Sequence, residues 1–124
     1  MHIIVESTEG FAQSITAGNH KLISDEPVAG GGKDAGPAPY LLVLSGLGSC
    51  TGITLKMYAQ RKSWDFGKIT VKLTLHKDEE RVERVVSCSA TLTQEQKDKI
   101  VEIAGKTPVT KTLLKTWKIE TSVA

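Results

Sequence analysis

Cys50 lies in the segment Gly48-Ser49-Cys50-Thr51-Gly52, and cysteine is the residue type here best suited to nucleophilic or redox chemistry. The thiolate is the reactive form, and a free thiol with a pKa of about 8.5 needs a neighbouring cation to be appreciably ionised at neutral pH. The flanking residues supply none, so the residues alone leave two readings: a small buried hydrophobe or a nucleophile activated from elsewhere in the fold. Cys88 alternates with Val86, Ala90 and Leu92, the phase of a strand's apolar face, and is expected to pack in the core. The three histidines, His2, His20 and His76, have no i,i+4 partner and no cysteine or carboxylate at ligand spacing, which argues against a metal site. His76 falls on the polar phase of its strand and should be solvated, whereas His20 could join a site. Gly-x-Ser-x-Gly is absent, so a serine-hydrolase elbow has no support. Gly30-Gly31-Gly32-Lys33 is followed by Asp34 and reads as a connecting loop, because a phosphate-binding loop needs Ser or Thr after its lysine.

The elements that would position these residues belong to a chain of 124 residues, 40% hydrophobic and 24% charged, with a net charge of +2. Those values suit one globular domain over residues 1–124 and are too balanced for disorder. Aromatics are 5% and no basic run occurs, which argues against nucleic-acid binding. His2 to Glu6 has no signal-peptide pattern. The longest nearly apolar stretch, residues 40–47, is too short to cross a bilayer. These features lead to the expectation of a cytoplasmic protein without a membrane role, and hence of two free thiols.

Short alternating runs over residues 3–23, punctuated by Glu9-Gly10 and Gly18-Asn19, predict a three-stranded meander. A flexible loop follows over 28–37. A long helix is expected from Pro39 to about Arg61, apolar all round in its first half and so centrally packed. Each of Gly46, Gly48 and Gly52 costs such a helix about 1 kcal/mol relative to alanine, which calls for close approach of another element, a second copy of the chain included. Residues 68–77 and 81–92 alternate as a hairpin with one buried face. Thr93 to Gln96 reads as a capping box, opening a helix that buries Ile100, Ile103 and Ala104 and ends at Gly105. Thr107-Pro108 opens another helix, and residues 117–123 alternate as a closing strand.

Gly36-Pro37-Ala38-Pro39-Tyr40 through Ser49-Cys50-Thr51 to Met57-Tyr58-Ala59-Gln60-Arg61-Lys62, followed at matching distance by Leu92-Thr93-Gln94-Glu95-Gln96 and Lys106-Thr107-Pro108-Val109-Thr110-Lys111-Thr112-Leu113, resembles the two signatures of the OsmC/Ohr family. The resemblance covers essentially the whole chain and is nearest to an OsmC-like subgroup. It implies an α+β fold in which antiparallel sheets wrap around apolar central helices in an intertwined homodimer. It further implies thiol-dependent reduction of organic hydroperoxides in oxidative-stress defence, with no cofactor, Cys50 as the attacking thiol and an external thiol as reductant. Tyr40, Leu44 and Leu47 would line the peroxide pocket.

Three family features are altered. The second cysteine falls at Thr107, which can cap a helix and cannot form a disulfide. The acidic residue sought at the start of the central helix is replaced by Tyr40 and Leu41. The arginine of the N-terminal strands is missing, since Arg61 is the first arginine and lies about 16 Å along the helix from Cys50; His20 or Lys21 is the candidate replacement. Two functions follow. One is a hydroperoxide reductase with a single reactive cysteine. The other is a catalytically degenerate dimer that keeps the pocket and binds a small apolar or thiol-reactive ligand.

Overall fold

A computed structural model describes residues 1–124 as two compact units, Met1–Ser45 and Gly46–Ala124. In the first, β1 (Ile3–Ser7), β2 (Gln13–Ala17) and β3 (His20–Ser24) form an antiparallel meander in the order β1-β2-β3. Register sets Val5 opposite Ile15, and Ile15 opposite Leu22. Gly10 and Gly18 carry the positive φ, 65° and 59°, that the two reversals require.

The loop after β3 is more ordered than its glycines suggest. Asp25 is buried, and its carboxylate accepts hydrogen bonds from the amides of Glu26, Lys33 and Ala35 at 2.8, 3.1 and 3.2 Å. The Ser24 hydroxyl donates to the Pro37 carbonyl at 2.8 Å. Polar groups removed from water are thereby satisfied locally, and the segment expected to be flexible is tied to one side chain.

Helix α1 (Pro39–Lys62) begins in the first unit and continues in the second, with Arg61 and Lys62 in its last turn, where cations favour the helix dipole. Its 24 residues are long and apolar enough to cross a membrane, more than the stretch 40–47 alone. Its buried residues Leu47, Thr51, Leu55 and Ala59 recur at helical spacing, so it serves as a core helix.

The rest of the second unit is a hairpin and two helices. β4 (Ile69–His76) pairs antiparallel with β5 (Arg81–Cys88), in a register that faces Ile69 with Cys88, Val71 with Val86, Leu73 with Arg84 and Leu75 with Val82. β5 stops four residues short of Leu92. His76 departs from its solvated expectation: half-buried, it contacts the carboxylates of Glu79 and Glu83 at 3.6 and 3.3 Å. The core gathers Leu55, Ala59, Phe66 and Ile100, with Ile69, Val86, Cys88 and Ile103 packed against them. α2 (Gln94–Ala104) opens on the complete capping box of Thr93 and Gln96, and α3 (Pro108–Leu113) opens on Thr107.

Two expectations need correction. Residues 117–123 form no strand, and Trp117, Ile119 and Val123 are exposed; alternation offers a strand face, but no edge in the chain pairs with it. The apolar first half of α1 is also not covered on all sides within the chain, since Leu41 and Val43 are 53% and 47% exposed, and the same holds further along at Ile53 and Met57. Of its glycines, Gly48 has a reason inside the chain, because a Cβ there would lie 2.9 Å from a Leu73 methyl; Gly46 and Gly52 face open space.

Candidate active site

Thr51, fully buried on α1, sends its hydroxyl proton back to the Leu47 carbonyl at 2.7 Å. The oxygen's lone pair is turned to the Arg84 side chain of β5, whose Nη1 donates to it at 3.0 Å. The same Nη1 donates to the Thr110 hydroxyl at 2.9 Å, and Thr110 passes its proton to the Ala104 carbonyl at 3.1 Å. A hydroxyl has one proton. The 2.7 Å contact between Thr107 and Thr110 is therefore donated by Thr107, whose oxygen in turn accepts from the Thr110 amide.

Each threonine hydroxyl and both protons of Arg84 Nη1 have an acceptor, yet no acceptor carries negative charge. Arg84 is half-buried and makes no ion pair, although a cation drawn out of water is ordinarily matched by a carboxylate. Burial pulls its guanidinium below the usual arginine range, but arginine remains protonated at any working pH. An uncompensated positive charge thus stands against the helix residue that follows Cys50. The Cys50 thiol itself is half-buried and free. Cys88 is also free, but burial pushes its thiol pKa up, which suits the core role expected of it.

The other candidate residues divide between the units. His20 and Lys21 lie on exposed β3, where the Lys21 ammonium donates to the Thr16 hydroxyl at 3.3 Å. Tyr40 and Leu44 stand on the first turns of α1, exposed and buried respectively. Leu47, Cys50 and Thr107 belong to the second unit. There Leu47 lines a groove of about 290 Å³ together with Arg84, Glu80, Val82, Thr110 and Leu113; Glu80 makes no ion pair with Arg84. Thr107 is fully buried as the α3 cap. Its hydroxyl thus sits in the Arg84 network, where the second cysteine was sought.

Arg84 was not a sequence candidate. Its signal was parity: it shares the phase of Val82, Val86 and Cys88, a charge on an otherwise apolar strand face.

Residues 30–122, well over half of the chain, match the sequence model of the family described as OsmC-like protein. The chain belongs to the OsmC-like family. Solved structures share its fold. A Psychrobacter arcticus 273-4 protein assigned to the osmotic stress and detoxification response superposes with a TM-score of 0.79 at 22% identity, over 89% of this chain and 85% of that one. The OsmC-like protein of Mycoplasma pneumoniae gives 0.76 at 16%, over 91% and 86%. The organic hydroperoxide resistance protein OhrB of Bacillus subtilis gives 0.59 at 22%, over 90% and 87%. No curated protein matches by sequence. Within the OsmC-like fold, then, this chain combines a half-buried thiol on the central helix with an unpaired guanidinium on the hairpin.

Proposed function

We propose that this OsmC-like protein is a thiol-dependent organic hydroperoxide reductase with one reactive cysteine, acting in cytoplasmic defence against oxidative stress. The observation that carries the reading is the uncompensated Arg84 cation, bonded to the hydroxyl of Thr51 directly after Cys50. The resemblance calls for an arginine beside the attacking thiol, and Arg84 is the arginine bonded to the residue next to Cys50.

The Cys50 thiolate attacks one peroxide oxygen, the O–O bond breaks, and the departing alkoxide takes a proton and leaves as alcohol. Cys50 is oxidised to a sulfenic acid as the peroxide is reduced. An external thiol then condenses with the sulfenic acid, releasing water and forming a mixed disulfide. A second external thiol releases Cys50 and leaves as the disulfide. Thr107 takes no part in this redox cycle.

A homodimer fits the exposed apolar face of α1. Ile53 and Met57 lie open, and Gly46 and Gly52 have no neighbour in the chain that needs their small size; a facing helix would supply one.

Thr107 and the missing helix-start acid favour the second reading, a degenerate dimer that only binds ligand. Consumption of cumene hydroperoxide with a dithiol, followed by intact mass after peroxide, separates the two. Turnover and a sulfenic or mixed-disulfide adduct that are lost in Cys50→Ser and kept in Cys88→Ser support the reductase. Absence of both turnover and a Cys50 adduct at modest peroxide excess refutes it.

A further inference from the structure

We propose that the groove between β5 and α2 binds an aliphatic monocarboxylate, with Arg84 gripping the carboxylate and the chain lying on the apolar wall of α2. This site does not depend on Cys50 chemistry. The groove encloses about 340 Å³, within the lower part of the roughly 300–1,000 Å³ range of small-molecule sites. Val86, Leu92, Ile100 and Val101 supply its apolar walls; Arg84 and Lys97 also line it, and no carboxylate does.

Its charge is open to a ligand. The ion pairs of α2 join Glu102 to Lys99 and Lys106 and leave Lys97 out. Both protons of Arg84 Nη1 are taken by Thr51 and Thr110, which fixes the plane of the guanidinium. Its Nε and Nη2 have no protein partner, and no side-chain nitrogen or oxygen in the chain is both buried and unbonded, so these three N–H groups are reached by solvent. Nε and Nη2 form the planar fork that matches a carboxylate in two parallel hydrogen bonds. Arg84 lines both this groove and the one beside Leu113; the walls here are apolar and free of the carboxylate that Glu80 brings to the other, which matches a ligand that joins one carboxylate to a hydrocarbon chain.

The test titrates octanoate into the isotope-labelled full chain, following methyl resonances and the Arg84 Nε–H. Saturable shifts are expected at Leu92, Ile100, Val101 and Arg84. Octanol keeps the chain without the charge and acetate the charge without the chain; each should bind at least about tenfold more weakly. Arg84→Gln should weaken octanoate at least about tenfold, and Lys97→Gln, which removes a solvated charge, about twofold. If Arg84→Gln does not fold, the ligand comparison on the unaltered protein decides. Equal affinity for octanoate and octanol, shifts confined to Leu113 and Leu114, or no saturable binding would overturn the proposal.

Discussion

Replacing Thr51 with valine should destabilise the protein by about 1–2 kcal/mol, and nearly all of that loss should depend on Arg84. Valine keeps the volume of threonine, so the fully buried site is neither emptied nor overfilled. The Leu47 carbonyl loses the hydroxyl proton at 2.7 Å, and Arg84 loses one of its two hydroxyl acceptors. A hydrogen bond to a charged group is worth about 1.5–3 kcal/mol. Arg84 is only half-buried, so water recovers part of that, which brings the value down. At the usual slope for urea, the midpoint should fall by about 0.5–1 M. Thr51→Ser keeps the hydroxyl and drops one buried methyl, about 1 kcal/mol, so single variants alone do not separate bonding from packing. A double-mutant cycle with Arg84→Met does, read by urea unfolding at one fixed protein concentration. Thr51→Val should show at least about 1 kcal/mol of coupling to Arg84, and Thr51→Ser close to none. A Thr51→Val coupling within about 0.5 kcal/mol of zero, the range of independent sites, would refute the view that Thr51 holds Arg84 in place.

Asp25 should make the loop over residues 26–35 sensitive to acid. The Ala35 amide holds its carboxyl below the ordinary aspartate value, aided by the Glu26 and Lys33 amides and the Lys33 charge, while burial opposes them. Since the folded value lies below the unfolded one, the stabilisation is present above about pH 4 and is lost as pH falls through the folded value. Hydrogen exchange at Lys33 and Ala35 should accelerate across that acid range and do so at neutral pH in Asp25→Ala; unchanged protection in that variant would count against the carboxylate as the organiser. Thr107→Ala removes the α3 cap and should cost about 1–2 kcal/mol in thermal unfolding, with α3 amides losing protection first. A neutral result would mean that the cap of this six-residue helix adds nothing to stability.

What the sequence disclosed and what it concealed differ in kind. Local chemistry was legible: the capping box at Thr93 and Gln96, the cap at Thr107 and the turns at Gly10 and Gly18 each depend on residues a few positions apart. Alternation located β4 and β5 for the same reason, but it described residues 117–123 equally well, and there no strand edge of the chain pairs with them. Periodicity reports which faces a segment could bury and says nothing of what arrives to cover them. The exposed Ile53 and Met57 on α1 show the same limit.

Arg84 illustrates a deeper one. Its partners Thr51 and Thr110 are 33 and 26 residues away, so no local motif could announce the cluster. The available signal was a charge in register with Val82, Val86 and Cys88, opposite Leu73. Such a placement is costly unless the cation is satisfied, and three N–H groups left without a protein partner mark where that satisfaction is incomplete. Cys50 drew notice by residue type, but type alone could not say whether a charge stood near it. The pairing of β5 with β4 and the turn of α3 brought that charge to Thr51, a relation that belongs to the fold and to no stretch of sequence.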